Sequence, residues 1–283
     1  MPRKDLACLL GSPVAHSISP AMHNMAFEEL GINCEYKAFD VDKSGLEKKV
    51  RELVDEGVLG FNLTMPNKQA MCPLCDELSD AARISGSVNT VLNDKGRLIG
   101  HTTDGIGFMK ACEDAGFNPG EGKMVILGAG GAAKSILVQA ALDGLSDITV
   151  FNRRGNNWDQ ISGIIDLLKK ETACNIKLLE YDKDLLGKEL SEAKLLTNAS
   201  SVGMAPHEEG CLIEDGSLFH KGLDVYDIIY NPLETRLMKM AKAAGCKTAN
   251  GKLMLLYQGA AAFKIWTGKD MPVEKIKKAL FSD

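Results

Sequence analysis

The sequence lacks long hydrophobic runs, an excess of positive charge and a recognisable signal segment. No stretch approaches the roughly 20 apolar residues that a membrane-spanning helix requires. The chain has 33 Lys and Arg against 38 Asp and Glu, whereas a nucleic-acid partner calls for a basic surface. The apolar run within residues 1–10 is too short for a signal peptide, and Gly11 and Pro13 follow it without a cleavage-site pattern. We therefore predict a first buried strand here, in a cytoplasmic protein with no membrane partner.

The eight cysteines do not indicate disulfides or a metal site. They are scattered along the chain without a secretion signal, which favours free thiols. Cys72 and Cys75 form a Cys-Pro-Leu-Cys spacing that suits a redox motif or half of a zinc site. There is no second Cys-x-x-Cys, and the histidines do not lie at ligand spacing from this one. We interpret both as packing cysteines near a helix and predict no metal.

Length and pattern indicate two layered domains. The chain has 283 residues, and roughly 150 residues per domain predicts two. Its 45% hydrophobic and 25% charged residues are typical of a soluble globular protein. Apolar runs of strand length alternate with amphipathic helical patterns along nearly the whole chain. This alternation predicts an α/β fold with helices layered on parallel sheet.

Turn and cap residues divide the chain into elements. Ser19 is predicted as an N-cap with Pro20 at the first helical position, and Gly31 ends that helix. Ser44 is predicted to open the next helix. The other predicted elements are strands at 36–41, 58–64, 88–92 and 97–102, a helix just after Asp104, a βαβ series from 124 to about 248, and final helices at 252–267 and 273–281. The final helices have no strand after them, and we expect them to pack back on the first domain.

A candidate cofactor loop follows the strand 124–127. The strand runs directly into Gly128-Ala129-Gly130-Gly131-Ala132, and a helical pattern continues from there. Glycines let the backbone turn tightly and approach a pyrophosphate, whose charge is met by N–H groups at the helix N-terminus. A second strand, 148–151, follows at about the distance expected of a dinucleotide site. The alternative is a glycine-rich turn that binds nothing.

The end of that second strand bears on the choice of cofactor. An NAD site usually has Asp or Glu there to bind the ribose 2′-OH, but this chain has Asn152-Arg153-Arg154. Two guanidinium groups suit a 2′-phosphate, because each offers a charge-assisted fork of donors. The alternative is a pair of solvated surface arginines. We therefore predict NADP, with NAD as the second possibility.

Polar residues in the first half lie where strands or loops meet helices, the positions at which α/β sheets bind ligands. Ser17 and Ser19 precede a helix, where two hydroxyls beside exposed N–H groups can hold a carboxylate. The N-cap role alone would account for Ser19.

Four further residues are ambiguous from spacing alone. Thr64 ends a strand, and Pro66 to Gln69 is predicted to begin a helix, which puts Lys68 in a first turn where the helix dipole disfavours a cation. An exposed surface lysine is the alternative. Asp104 is either an N-cap or a functional carboxylate. Asn89 is a polar residue inside an apolar strand and can simply face solvent.

Together, these motifs resemble the shikimate dehydrogenase family across nearly the entire chain, close to its quinate/shikimate branch. The matching segments are Gly11-Ser12-Pro13-Val14-Ala15-His16-Ser17-Ile18-Ser19-Pro20, Asn62-Leu63-Thr64-Met65-Pro66-Asn67-Lys68, Ser87-Val88-Asn89-Thr90, Thr103-Asp104-Gly105, the Gly128 to Ala132 loop, Asn152-Arg153-Arg154, Asn198-Ala199-Ser200, Gly203-Met204 and Gln258-Gly259-Ala260. Their order and spacing make the match specific.

The resemblance implies that the chain forms a substrate domain and a cofactor domain. Residues 1–104 and 251–283 would form an α/β substrate-binding and catalytic domain, and residues 105–250 a doubly wound Rossmann domain for NADP. Lys68 would be the general acid and base, and Asp104 would bind a substrate hydroxyl and orient Lys68. The residues implied to contact substrate are Ser17, Ser19, Thr64, Lys68, Asn89, Asp104, Tyr230 and Gln258, and those implied to line the nicotinamide side are Ile228 and Gly251.

The implied reaction is the reduction of 3-dehydroshikimate to shikimate by an NADP-linked oxidoreductase, monomeric or homodimeric. Many members have Asn-Thr-Asp where this chain has Thr102-Thr103-Asp104, so one contact near the substrate differs. In the quinate/shikimate branch an acidic residue can follow the arginine pair, whereas Gly155 follows it here, which weakens the case for NAD and leaves quinate open. The rival hypotheses are NAD-linked oxidation of quinate, a non-catalytic sensor of shikimate-like ligands, and another NADP enzyme that shares only the cofactor half.

Overall fold

The computed structural model describes residues 4–120 and 122–282, and the chain divides into two compact units. The first unit contains the chain up to Gly107 and again from Leu256 on; the second contains Phe108–Leu255. The predicted two-domain α/β class is confirmed. The assignment of substrate to 1–104 with 251–283, and of cofactor to 105–250, stays a prediction. Residues 1–3, 121 and 283 of those predicted ranges lie outside the described residues.

The first unit is built on a mixed sheet of six strands in the order β2-β1-β3-β5-β6-β4. Parallel pairing joins β1 to β2 and to β3, and β4 to β6, whereas β5 is antiparallel to β3 and β6. The elements are β1 (Asp5–Gly11), α1 (Ser19–Glu29), β2 (Cys34–Asp40), α2 (Leu46–Asp55), β3 (Gly60–Leu63), β4 (Glu77–Leu78), α3 (Asp80–Ser85), β5 (Thr90–Asp94), β6 (Arg97–His101) and the start of α4 (Asp104–Asp114). The apolar residues 7–10 are buried in β1, as predicted for a first strand.

The C-terminal helices complete the first unit. They are α9 (Lys252–Thr267) and α10 (Val273–Ile276), which a π-helical turn, Lys277–Phe281, continues. Trp266 on α9 donates its indole N–H to the carbonyl of Val91 at 2.9 Å. Gly60 makes this approach possible, because a Cβ there would lie 2.3 Å from the indole nitrogen. The expected packing of the final helices on the first domain is confirmed.

The second unit has the doubly wound order of a Rossmann fold. Its six strands are all parallel and lie in the order β12-β11-β10-β7-β8-β9. Strand order reverses between β7 and β10, and ligands bind at the carboxyl ends of the strands at such a switch point. The elements after α4 are β7 (Lys123–Leu127), α5 (Gly131–Leu142), β8 (Asp147–Asn152), α6 (Asn156–Glu171), β9 (Asn175–Glu180), α7 (Lys183–Ser191), β10 (Ala193–Asn198), β11 (Asp224–Asp227), α8 (Arg236–Ala243) and β12 (Thr248–Asn250).

Two predicted helix starts were wrong because side chains form local turns instead. Ser19 is the first residue of α1 rather than its cap, and the hydroxyl of Ser17 accepts the Ser19 N–H at 3.3 Å. Ser44 lies two residues before α2 because Asp42 Oδ1 accepts from the Ser44 N–H, the Ser44 hydroxyl and the Gly45 N–H. In both places an upstream side chain satisfies the exposed donors.

The predicted helix at Pro66 to Gln69 is absent, since residues 65–71 form successive turns before a short 3₁₀ helix at Cys72–Leu74. Tertiary bonds hold this segment. The buried Asn67 donates its side-chain N–H to the carbonyl of Val41 at 2.7 Å, and the Lys68 carbonyl accepts from the Val88 N–H at 2.9 Å. The helix-dipole argument for Lys68 therefore does not apply.

Cys72 and Cys75 have free thiols. Their sulfurs donate to the carbonyls of Lys68 and Met71 beside the apolar core of the first unit, as expected of packing cysteines. In the described ranges no helix has the length and apolar character needed to cross a membrane.

Candidate active site

Lys68 and Asp104 form an ion pair in the first unit. The two lie 36 positions apart in sequence, yet Lys68 Nζ lies 2.6 Å from Asp104 Oδ2. The turns after β3 carry the lysine, and the first residue of α4 is the aspartate. Their side chains are 30% and 15% exposed, so the pair is neither an ordinary surface contact nor sealed in the core. A ligand can reach the ammonium while the carboxylate stays fixed.

Asn89 fixes the second oxygen of that carboxylate. Its side-chain nitrogen donates to Asp104 Oδ1 at 2.8 Å, and its side-chain oxygen accepts from the Thr103 N–H at 2.8 Å. Asn89 is 2% exposed and immediately precedes β5, so the alternative of a solvent-facing side chain was wrong. The Asp104 carboxylate accepts from side chains, which decides against a simple N-cap. Lys68 and Asn89 thus hold one oxygen each of this carboxylate.

Behind Asn89, a buried polar network that sequence reasoning missed extends through the sheet. Tyr36 donates its hydroxyl to Asn62 Oδ1 at 2.7 Å, and Asn62 Nδ2 donates to the Thr90 hydroxyl at 3.0 Å and to the Asn89 carbonyl at 3.1 Å. The Thr90 hydroxyl in turn donates to Asn89 Oδ1 at 3.0 Å. The available signal was Asn62 itself, a polar residue within the fully buried strand β3.

Gly11 allows close contact between the segment after β1, which carries Ser17 and Ser19, and the segment after β3, which carries Thr64. The Ser12 N–H donates to the Met65 carbonyl at 2.9 Å, and a Cβ on Gly11 would lie 2.1 Å from Thr64 Cγ2. Only glycine fits this approach. Ser17 is half-buried close by in sequence, in the loop before α1. Thr64, Ser17 and Ser19 are thus held on the carboxyl side of β1 and β3.

Gln258 joins the same cluster from α9. Its side-chain oxygen lies 3.5 Å from Asn89 Nδ2, a long contact. Seven of the eight predicted substrate residues therefore belong to the first unit, and the eighth, Tyr230, belongs to the second unit. Tyr230 is 50% exposed and follows β11 by three positions.

The second unit has a cradle that fits a dinucleotide. Gly128 adopts φ +107°, and a Cβ there would lie 3.0 Å from the Ala199 carbonyl oxygen, so the turn requires glycine. Gly130 precedes α5 without any side-chain cap, and the first turn of α5 contains no acidic residue. The Cβ positions of Gly130 and Gly131 face open space. Uncapped N–H groups at an open helix start suit a pyrophosphate.

Asn152, Arg153 and Arg154 lie at the carboxyl end of β8, beside that cradle in strand order. Arg154 Nε donates to Glu180 Oε2 at 3.2 Å, and its guanidinium lies 4.0 Å from the centre of the Trp158 ring. The Arg153 side chain is exposed, and within the described ranges it has neither an ion pair nor a hydrogen bond. An exposed, uncompensated guanidinium at this position fits a 2′-phosphate.

Ile228 and Gly251, both predicted at the nicotinamide side, are in direct contact. A Cβ on Gly251 would lie 1.9 Å from the Ile228 carbonyl oxygen. Sequence reasoning missed the buried Asp227, which accepts from Asn198 Nδ2 at 3.0 Å and from the Thr235 hydroxyl at 2.7 Å. Burial raises the pKa of Asp227, although these hydrogen bonds oppose the shift. Asp227 thereby ties the end of β10 to the loop that carries Tyr230.

Two family models match this sequence, one near its start and one near its end. A model described as the shikimate dehydrogenase substrate binding domain matches residues 9–91. A second, described as the shikimate 5'-dehydrogenase C-terminal domain, matches residues 253–281.

Relatives match almost the whole chain. A shikimate dehydrogenase (NADP(+)) of Alkaliphilus metalliredigens is 46% identical over 278 residues, 98% of this chain and 96% of the relative. A quinate/shikimate dehydrogenase of Escherichia coli is 40% identical over 98% of this chain and 96% of the relative. The crystal structure of shikimate 5-dehydrogenase from Listeria monocytogenes, in complex with shikimate and NAD, has a TM-score of 0.96 at 42% identity and covers 99% of this chain and 98% of its own.

Proposed function

Because the chain belongs to the shikimate dehydrogenase family, we propose that it catalyses the reversible NADPH-dependent reduction of 3-dehydroshikimate to shikimate, a step towards chorismate and the aromatic amino acids. The observation that carries this proposal is the pair formed by Lys68 and Asp104, with Nζ 2.6 Å from Oδ2. A ketone reduction needs a proton donor that is accessible to substrate and fixed in direction. The partly exposed ammonium and its oriented carboxylate supply both.

In the proposed mechanism, Lys68 donates a proton from Nζ to the ketone oxygen and takes it back in the reverse direction. Asp104 orients Lys68 and accepts a hydrogen bond from a neighbouring substrate hydroxyl. Ser17 and Ser19 bind the substrate carboxylate. The remaining contacts to substrate hydroxyls are assigned to Thr64, Asn89, Gln258 and Tyr230. NADPH, when bound, supplies the hydride to the ketone carbon.

The cofactor is assigned to the second unit. The turn from Gly128 to Ala132 would hold the pyrophosphate, and Asn152, Arg153 and Arg154 would hold the adenosine ribose and its 2′-phosphate. Ile228 and Gly251 would line the nicotinamide. The relative from Alkaliphilus is named for NADP, and the Listeria crystal contains NAD. We assign NADP as the main cofactor and NAD as the second.

Initial rates of NADPH oxidation with 3-dehydroshikimate test the function. We expect turnover in the parent protein and a fall in kcat of about 10²- to 10⁴-fold in Lys68→Ala, since that is what a positioned proton donor typically contributes. Shikimate binding to the variant, measured by calorimetry, should fall far less. No turnover in the well-folded parent protein, with shikimate binding intact, would favour the non-catalytic sensor instead.

Quinate is the second candidate substrate, because the relative from Escherichia coli is named for both quinate and shikimate. Quinate carries a further hydroxyl on the carbon that bears its carboxylate, so the half-buried pair assigned to that carboxylate, Ser17 and Ser19, would meet it. A matrix of kcat/KM values for shikimate and quinate with NADP⁺ and NAD⁺ separates the two. Higher kcat/KM with quinate and NAD⁺ than with shikimate and NADP⁺ would overturn the main assignment.

A further inference from the structure

An acidic side chain lies beside the arginine pair, although no acid follows it in sequence. Gly155 comes directly after Arg154. The structure brings in Glu180 from the neighbouring strand: it is the last residue of β9 and the register partner of Asn152 in β8. Its carboxylate therefore lies at the carboxyl edge of the sheet, where doubly wound folds bind ligands.

The two arginines differ in how they are held. Arg154 contacts Glu180 through Nε at 3.2 Å and lies over the Trp158 ring at 4.0 Å. The side chain of Arg153 has no such partner within the described parts of the chain. Glu180 thus takes up the charge of one guanidinium and halves the net positive charge that the pair presents.

Stabilisation of the fold does not account for this ion pair. Its side chains are 66% and 58% exposed, and exposed pairs contribute little to stability because water and salt screen them. The Glu180 carboxylate would have a larger effect on the binding of a dinucleotide than on the stability of the fold. A phosphate monoester carries a charge of about −1.5 to −2 near pH 7, whereas a ribose 2′-OH is neutral and can donate a hydrogen bond to a carboxylate.

We propose that Glu180 sets the cofactor selectivity of this protein by opposing a 2′-phosphate at the arginine pair, so that NADP is favoured less than two free arginines would allow and NAD stays usable. Arg153 supplies the attraction for the phosphate, and Glu180 restrains the contribution of Arg154. This inference rests on the proposed function, because it takes the second unit to bind the dinucleotide.

The test is the binding of each dinucleotide to Glu180→Gln, measured by isothermal titration calorimetry without shikimate at pH 7 and about 0.1 M salt, where the screening length is about 10 Å. We expect the ratio of Kd for NAD⁺ to Kd for NADP⁺ to rise about 5- to 10-fold, the range expected for one exposed charge contact in water. The rise should come from tighter NADP⁺ binding, a gain that misfolding cannot imitate. A ratio that stays within about twofold of the parent, or falls, would overturn the inference.

Glu192→Gln is the matched control. It removes the same charge from the same unit, but Glu192 directly precedes β10 at the amino edge of the sheet and is 67% exposed. We expect its Kd ratio to equal that of the parent protein, because dissolved salt screens a charge more than about 10 Å from the dinucleotide. An equal rise in both variants would mean that only net charge matters, which would refute a specific role for Glu180.

Two further measurements separate the causes of failure. In Arg154→Gln, the second change Glu180→Gln should raise NADP⁺ affinity less than it does in the parent, because no Arg154 guanidinium remains for the carboxylate to restrain. The gain should shrink at about 1 M salt, where the screening length is about 3 Å. If the parent protein binds neither dinucleotide, the proposed function fails; if it binds both and Glu180→Gln leaves their ratio unchanged, only the role of Glu180 fails.

Discussion

Each unit contains a partly or fully buried lysine–carboxylate pair, and the two pairs differ in how accessible they are. Lys68 and Asp104 in the first unit are 30% and 15% exposed, so a ligand can reach the ammonium. Lys123 and Glu189 in the second unit are 5% and 8% exposed. Glu189 also accepts from the Thr149 hydroxyl at 2.8 Å and from Lys177 Nζ at 3.1 Å. The first pair is open to a further hydrogen-bond partner from solvent, whereas the carboxylate of the second pair is already bonded to several buried side chains.

Position in the sheet separates the pairs as clearly as exposure. Lys123 is the first residue of β7, so its pair lies at the amino edge of the second sheet, away from the ligand-binding edge. Burial alone raises the pKa of Glu189, but hydrogen bonds from Lys123, Thr149 and Lys177 outweigh it and lower the pKa to about 2. A lysine–carboxylate pair therefore indicates catalysis only when it is reachable and at the correct edge.

Replacing each lysine by methionine tests the role of its pair, and the larger expected effect is on catalysis. Lys68→Met removes the proposed proton donor, so kcat for 3-dehydroshikimate reduction should fall about 10²- to 10⁴-fold. The partly exposed pair contributes at most about 1 kcal/mol to stability. Steady-state kinetics and thermal unfolding of the same preparation check both expectations. A large drop in Tm with kcat retained would make Lys68 a structural residue.

Lys123→Met should have the reverse phenotype. It leaves the buried Glu189 without its closest cation, and breaking a buried pair costs about 3–5 kcal/mol. Urea unfolding followed by circular dichroism measures the loss, and kcat at a temperature where the variant is folded should match that of the parent. Unchanged stability would contradict a stabilising role for the buried pair of Lys123 and Glu189.

The pH dependence of stability tests the same cluster with a smaller effect. A carboxyl group whose pKa is depressed on folding stabilises the protein above its unfolded pKa, and this contribution is lost as the pH falls through the folded pKa. For Glu189 the window runs from its ordinary value of 4.5 down to about 2, a contribution of about 3 kcal/mol. Urea unfolding of the parent and of Glu189→Gln should therefore differ at pH 7 and converge as the pH approaches 2. A constant difference across that range would contradict this assignment.

The sequence predicted best where a site is local. The loop from Gly128 to Ala132 was identifiable because strand, glycine turn and helix follow one another directly, and glycine is required there by a positive φ and a close approach. The alternation of strands and helices likewise predicted an α/β fold on parallel sheet, whereas the doubly wound Rossmann domain was implied by the family resemblance. These features depend on residues that are neighbours in the chain, so they can be predicted from a single sequence.

Residues that act across the sheet could not be predicted from spacing. Asn62 meets Thr90 across 28 positions because strand register pairs β3 with β5. Lys68 meets Asp104 across 36 positions because the turns after β3 and the start of α4 bring them together. Spacing favoured an exposed surface lysine, and only the family resemblance indicated otherwise. The Pro66 to Gln69 helix was mispredicted for the same reason, since distant carbonyls and amides outcompete local helix bonds there.

The smallest expected effect concerns the buried hydrogen-bond network behind Lys68 and Asp104. Tyr36 and Tyr226 are both fully buried, but the Tyr36 hydroxyl donates to Asn62 at 2.7 Å, whereas Tyr226 has no hydroxyl partner at bonding distance in the described ranges. Tyr36→Phe leaves a buried acceptor unsatisfied and should lower the free energy of unfolding by about 1–3 kcal/mol. Tyr226→Phe, the matched control, removes a hydroxyl that makes no short hydrogen bond and should lower the free energy of unfolding less. Asn62 bonds to Thr90 and Asn89, so the effect of Tyr36 can reach Asp104 through them. A fall in kcat in Tyr36→Phe alone would show that the network that positions Asp104 includes Tyr36 on β2. Equal kcat in both variants would show that it extends no further than Asn89.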